Sequence, residues 1–165
     1  MTIEEVKDKM AGLIIDMQYH FIADNEAKLA LIPKQIKLIE FCRKNDVPVF
    51  LIEYYGYGRT TKSLFEVAHK IFKEKLYLVP KNTWSPFTST QLDKALKNIK
   101  AEYLLVTGIN VCACVYDTLA EATDLGFKTL VSHDLMAGYC DYCLINEDRK
   151  HWELSGFNFI EFKAG

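Results

Sequence analysis

A chain of 165 residues that is 50% apolar and 25% charged, with a formal charge of −2, has the size and balance of one globular domain. Such a domain can bury roughly 70% of the surface its unfolded chain exposes. No run of one sign suggests nucleic acid or an anionic membrane as partner. No apolar stretch approaches bilayer length, and the first residues lack the basic start and apolar core of a signal peptide, so a cytoplasmic location is expected. The five cysteines, Cys42, Cys112, Cys114, Cys140 and Cys143, are an odd number in a chain of ordinary size, which argues against a disulfide framework; reduced thiols are expected.

In chain order, short apolar runs alternate with amphipathic stretches, without repeats or low-complexity segments. The run 12–16 reads as a first strand, and Pro33 as the first helical position of a helix with Ile36 and Ile39 on its apolar side. A second strand follows at 47–52, a helix at about 61–75 with Leu64, Ala68 and Ile71 on one side, and a short strand at 76–79. Thr90 with Asp93 resembles a capping box for a helix carrying Leu92, Leu96 and Ile99. The run 103–107 is the next strand and stops at Gly108; Val115, Leu119 and Ala122 then mark one face of a helix over 114–125. A strand at 127–131, a helix at 141–153 and a strand at 157–162 complete the pattern. Strand-helix alternation predicts a single-domain α/β fold: a mostly parallel, Rossmann-like sheet with helices on both faces and right-handed crossovers.

In such folds sites lie beyond the carboxyl ends of the strands. Three reactive side chains fall there: Asp16 after the first strand, Lys81 after the third, and Cys114 shortly after the fourth. Each alone has an ordinary reading, as a turn residue, a solvated lysine and a buried thiol. Together they supply what thiol chemistry needs: a nucleophile, a base to take its proton and a cation to balance the carboxylate. A position in the first turn of a helix is expected to lower the Cys114 pKa through the helix dipole. Cys140 and Cys143 are spaced as half a zinc site, without a second pair at the usual distance, and read as packing cysteines or an oxidisable dithiol.

Three segments resemble the isochorismatase-like cysteine hydrolases, which include nicotinamidases and N-carbamoylsarcosine amidohydrolases. Asp16-Met17-Gln18-Tyr19-His20-Phe21 is similar to the family's Asp-x-Gln-x-x-Phe. Lys81-Asn82-Thr83-Trp84-Ser85-Pro86-Phe87 is similar to Lys-x-x-x-Ser-x-Phe. Gly108-Ile109-Asn110-Val111-Cys112-Ala113-Cys114-Val115, with Thr118 beyond, is similar to Gly-x-x-Thr-x-x-Cys-Val-x-x-Thr. The resemblance covers residues 12 to about 134 and implies Asp16, Lys81 and Cys114 as a catalytic triad. It also implies a cis peptide at Ile109–Asn110, an oxyanion hole formed by the N–H groups of Asn110 and Cys114, and a homo-oligomer. Gln18, Phe21, Tyr54 and Trp84 are the expected substrate-binding residues, with Tyr54, Tyr55 and Tyr57 on a mobile aromatic loop that covers a small substrate; Arg59 could meet a substrate carboxylate but reads better as a solvated arginine.

Two departures shape the expectation. Val111 stands where many members carry threonine. The stretch Glu53-Tyr54-Tyr55-Gly56-Tyr57-Gly58 lacks the Asp-x-His of nicotinamidase metal sites, so neither metal nor other cofactor is expected, and nicotinamide is disfavoured as substrate. A nucleophilic cysteine points to C–N hydrolysis of a small amide or ureido compound rather than vinyl ether cleavage. Alternatives are a thiol redox or sensor protein, a non-catalytic binding member of the same family, and, within the family, a nicotinamidase or isochorismatase.

Overall fold

The computed structural model describes residues 1–71, 74–138 and 146–162. Its centre is a six-stranded parallel sheet in the order β3-β2-β1-β4-β5-β6. The strands are β1 (Met10–Ile15), β2 (Val49–Tyr54), β3 (Leu76–Lys81), β4 (Tyr103–Gly108), β5 (Lys128–Val131) and β6 (Asn158–Phe159). The helices in chain order are α1 (Ile3–Val6), α2 (Tyr19–Ile22), α3 (Glu26–Leu29), α4 (Leu31–Lys44), α5 (Lys62–Ile71), α6 (Pro86–Ser89), α7 (Leu92–Asn98), α8 (Tyr116–Asp124) and α9 (Asn146–Leu154). Among the described residues no helix is long and apolar enough to cross a membrane.

The unbroken apolar runs of β1 and β4 follow from burial on both faces. Ile14, Leu51 and Leu105 pack in the layer with Leu38 and Ile39 of α4 and Leu64 of α5, whereas Leu13, Ile15, Ile52 and Val106 pack with Leu92 and Leu96 of α7 and Leu119 of α8. Each such side chain, fully withdrawn from water, contributes about 1.5–3 kcal/mol before entropy is counted. The chain winds outward from β1 to β3 and then from β4 to β6, so β1 and β4, paired from Met10–Tyr103 to Ile15–Gly108, flank the point where winding reverses. A crevice opens there beyond the carboxyl ends.

Gly108 shapes that crevice. Its φ is +109°, and a Cβ at this position would lie 2.2 Å from the Ile15 carbonyl oxygen and 2.7 Å from the Ile15 nitrogen. Only glycine lets the ends of β1 and β4 approach so closely.

Strand positions match the expectation to within a few residues, except that the final strand is confined to Asn158–Phe159. Pro33 is the third residue of α4 rather than the first. It still lies where its missing N–H costs no intrahelical bond. Thr90 Oγ1 accepts from the Leu92 N–H at 3.0 Å, but Asp93 instead pairs with Lys97 at 2.9 Å, the i,i+4 partner, so the capping box is not reciprocal. The cysteine-bearing segment does not enter an α-helix directly: Val111–Val115 forms one π-helical turn before α8.

The expectation of reduced cysteines holds at Cys42 and Cys114, which are free thiols, and fails at Cys112, which is disulfide-bonded. Two residues apart on a helical turn, Cys112 and Cys114 face different ways: Cys112 is exposed and Cys114 buried. An odd count argues against a framework but does not exclude a single bridge. Cys140 and Cys143 lie outside the described residues.

Candidate active site

Asp16 follows β1 directly, with a left-handed φ of +53°, a conformation that costs a non-glycine residue of order 1–3 kcal/mol. The bend brings its carboxylate to Lys81, the last residue of β3. Lys81 Nζ donates to Asp16 Oδ2 at 2.9 Å, to the Trp84 carbonyl at 2.9 Å and to the Thr83 carbonyl at 3.2 Å. All three ammonium hydrogens are thereby used. The Lys81 side chain is 0% exposed, and the Tyr54 ring covers it with its centroid 4.5 Å from Nζ. Lys81 therefore acts on the carboxylate and does not face a substrate.

Cys114 is carried by the π turn, whose start is fixed by backbone bonds. Ile109 N–H donates to the Ile15 carbonyl, Val111 N–H to Ala137, and Ala137 N–H to Gly108. The Ile109–Asn110 peptide is cis. The Asn110 carbonyl accepts from both Ala113 and Val115 N–H groups, and Thr118 Oγ1 donates to the Cys114 carbonyl. Val111 is buried in the apolar layer; main-chain bonds hold the turn without a hydroxyl at that position.

Asp16, Cys114 and Asn110 meet at one cavity of about 290 Å³, walled by Phe21, Tyr54, Tyr57, Trp84 and Ala113. Phe21, Tyr54 and Trp84 thus stand where the sequence placed them. Gln18 does not line the cavity. It is fully buried behind the aromatic wall, donating to the carbonyls of Tyr54 at 2.9 Å and Gly58 at 2.7 Å and accepting from the Tyr54 N–H at 2.6 Å. Glu53 adds a bond to the Thr60 N–H at 2.8 Å. The aromatic loop is tied at both ends rather than loose. Arg59 turns to Glu53 at 3.6 Å and to the face of Phe65, away from the cavity.

Tyr57, expected on the aromatic loop over a small substrate, and Ala113, which was not expected there, complete the wall. Tyr57 reaches it because the Gly56 and Gly58 turn folds it back against Phe21, 4.9 Å between centroids; the glycine-flanked turn three residues beyond Tyr54 was the available signal. Lys28 is a further surprise, fully buried with Nζ donating to the Phe21 carbonyl at 3.1 Å, a support for the wall that no spacing rule marks.

Burial decides the electrostatics. Cys114 is pushed up to about 12, first by desolvation and then by the neighbouring Asp16 charge, with Lys81 opposing. The expected lowering does not occur, because a helix-end dipole supplies only about 0.3–1 kcal/mol against a larger cost of burying a thiolate. Asp16 is likewise raised above an ordinary aspartate, by desolvation above all, with Lys81 holding it down. The resting site is therefore a neutral thiol beside a carboxylate of enhanced proton affinity. Asp16 Oδ1 and Asn110 Oδ1 are buried without a hydrogen-bond partner among the described residues.

The residues after β2 do not suit a metal: Glu53 already serves Thr60 and Arg59, and its neighbours are tyrosines. Among the described residues no group of three or more His, Cys, Asp or Glu side chains is placed to hold one.

Comparison with known proteins places these features in context. The plant protein Nicotinamidase 3 of Arabidopsis thaliana is 28% identical over 148 residues, covering 78% of this chain and 73% of its own. The fold matches that of a nicotinamidase from Staphylococcus aureus with a TM-score of 0.86 at 19% identity, over 93% of this chain and 99% of that one. An N-carbamoylsarcosine amidase from Thermoplasma acidophilum matches with a TM-score of 0.78, also at 19% identity, over 94% and 99% of the two chains. Residues 10–142 match the family described as Isochorismatase domain, and the chain belongs to that family of hydrolases.

Proposed function

We propose that this hydrolase cleaves the C–N bond of a small amide or ureido compound through a thioester on Cys114. The observation that carries the reading is the convergence of Cys114 and Asp16 at one cavity, with the sealed Lys81 paired to Asp16 at 2.9 Å. As Sγ attacks the substrate carbonyl, its proton passes to Asp16, whose raised proton affinity suits a base. The N–H groups of Asn110 and Cys114 receive the developing oxyanion; one such donor contributes about 3–4 kcal/mol to transition-state stabilisation. Collapse breaks the C–N bond, Asp16 returns the proton to the leaving nitrogen, and the acyl group stays on Sγ. A water deprotonated by Asp16 then releases the acid and regenerates the thiol. The names of the relatives, nicotinamidase and N-carbamoylsarcosine amidase, agree with amide or ureido chemistry.

Charge narrows the substrate. Asp16 and Cys114 are the acidic groups of the wall, Lys81 is spent on three acceptors, and Arg59 is held outside. Among the described residues the wall holds no cation for a substrate carboxylate, which would meet Asp16, and like charges so juxtaposed cost several kcal/mol. Neutral amides such as benzamide are expected to release ammonia at least about 100-fold faster, in kcat/KM, than maleamate or N-carbamoylglycine; 100-fold corresponds to about 2.7 kcal/mol. Absence of ammonia from every neutral amide, or a preference for the carboxylates, would remove this reading.

The disulfide at Cys112 favours a thiol redox role as second reading. It is opposed by the raised Cys114 thiol, since exchange needs the thiolate.

A further inference from the structure

Four aromatic rings, Phe21, Tyr54, Tyr57 and Trp84, wall the cavity, and the proposed chemistry gives them no task beyond excluding water. Three of them form a corner rather than a stack. Phe21 and Tyr54 lie 6.5 Å apart between centroids and are inclined at 71°, and Tyr54 and Tyr57 lie 5.7 Å apart and are inclined at 82°. Gln18 ties the loop that carries the tyrosines from behind, so the corner is built before a ligand arrives. One face of Tyr54 is taken by the Lys81 ammonium, 4.5 Å from the ring centroid. Lys81 is sealed from solvent while Tyr54 lines the cavity, which leaves the opposite face for a ligand. Trp84 adds a ring that is 57% exposed, although its carbonyl is fixed by Lys81 Nζ at 2.9 Å. With Tyr57, 44% exposed, it gives the cavity an aromatic rim, the kind of exposed surface that marks a binding site.

Charge points the same way. Among the described residues the wall presents one carboxylate, Asp16, and no cation, since Lys81 is spent on Asp16 and two carbonyls. An aromatic face attracts a cation within about 6 Å of its centroid, tryptophan most strongly. The wall therefore favours positive charge twice, through Asp16 and through the ring faces. An ammonium that bears N–H groups also needs hydrogen-bond acceptors, and the Tyr54 hydroxyl is already engaged with the Asn82 carbonyl at 3.1 Å; a fully methylated ammonium needs none. We propose that Phe21, Tyr54, Tyr57 and Trp84 form an aromatic cage for a quaternary ammonium group, and that the substrate class is a small amide whose acyl part carries a trimethylammonium. This deepens the hydrolase reading and rests on it for its chemistry. The cage holds the cation while the amide carbonyl meets Cys114; the amide C–N bond breaks, ammonia leaves, and water supplies the hydroxyl of the released acid and the added hydrogen of the ammonia.

The test uses one pair of amides matched in shape, trimethylammonioacetamide and 3,3-dimethylbutanamide, in which a quaternary nitrogen replaces a quaternary carbon. Dissociation constants are measured by calorimetry on Cys114→Ala protein, which holds the cavity but cannot form the thioester, and ammonia release is measured on the intact enzyme. The cationic amide is expected to bind at least about tenfold more tightly, a difference of about 1.4 kcal/mol. That ratio should fall at least about threefold when Trp84→Leu or Tyr57→Leu is added, and Tyr57→Phe, which keeps the ring face, should retain it. The ratio between paired ligands is a quantity that general loosening of the site does not move. Equal or tighter binding of the uncharged amide, no detectable binding of either, or a preference undiminished in both leucine variants, as attraction to Asp16 alone would give, overturns the proposal. The comparison in Cys114→Ala protein needs no change to the rings, so misfolding of a leucine variant leaves it falsifiable. A ring-dependent preference without ammonia release would sustain the cage and sink the hydrolase reading; ammonia release from uncharged amides without that preference would do the reverse.

Discussion

Asp16→Asn is expected to lower turnover by roughly 10³–10⁴-fold, the upper range for removal of a general acid-base group. Asparagine keeps the shape and can still accept from Lys81, but it cannot take the thiol proton. The same substitution should have an opposite effect on the thiol itself. In the parent protein the Asp16 charge raises Cys114 and Lys81 lowers it, so without the carboxylate the thiol value falls and Cys114 alkylates faster at any pH between 7 and about 9. Faster alkylation with lost turnover separates a missing base from a damaged pocket. The pH profile carries a second sign. Asp16 must be ionised to act as base, and its value is raised above the ordinary 3.8. The acid limb of kcat/KM should therefore lie above that value, activity being lost as the pH falls through the raised Asp16 pKa. Removing one partner of a buried ion pair also costs stability, about 3–5 kcal/mol, so kinetics are read where a melting curve shows the variant folded. Parent-like turnover in a folded Asp16→Asn protein would exclude Asp16 from the chemistry.

Gly108→Ala carries the largest expected structural effect. The added methyl would meet Ile15 backbone atoms at 2.2 and 2.7 Å, and these cannot rotate away as a side-chain tip can. Overpacking of this kind costs about 1–3 kcal/mol, and a φ of +109° in a residue with a Cβ adds about 1–3 kcal/mol. A loss of roughly 2–6 kcal/mol in the urea-unfolding free energy follows from these two contributions. Where the variant remains folded, activity should fall further than stability predicts, because Gly108 also positions the turn that bears Asn110 and Cys114. A midpoint within experimental error of the parent would mean that β1 and β4 do not meet as described.

The sheet and the clustering of Asp16, Lys81 and Cys114 were legible in the residues because they depend on local signals. Two-sided burial writes β1 and β4 as unbroken apolar runs, and the strand-end rule then places Asp16, Lys81 and Cys114 together. What was not legible depends on distant contacts. The Cys114 shift reverses the expected sign because burial, with the neighbouring Asp16 charge, outweighs the dipole of a short turn. The π turn comes from stitching of Gly108 and Val111 to Ala137, thirty residues or so along the chain, which no helical periodicity reports. Gln18 was expected at the substrate; its amide instead closes on Tyr54 and Gly58 from the far side of the wall, since one residue's difference along the bend after β1 decides which way a side chain faces.

The most direct test of the central claim is single-turnover acid quenching of the enzyme in excess over a hydrolysed amide, with peptide mass analysis and ammonia measured in parallel for Cys114→Ala. The account predicts an acyl mass on the peptide carrying Cys114, removed by alkaline hydroxylamine, and ammonia release abolished in the variant. Ammonia release at the parent rate from Cys114→Ala would contradict it.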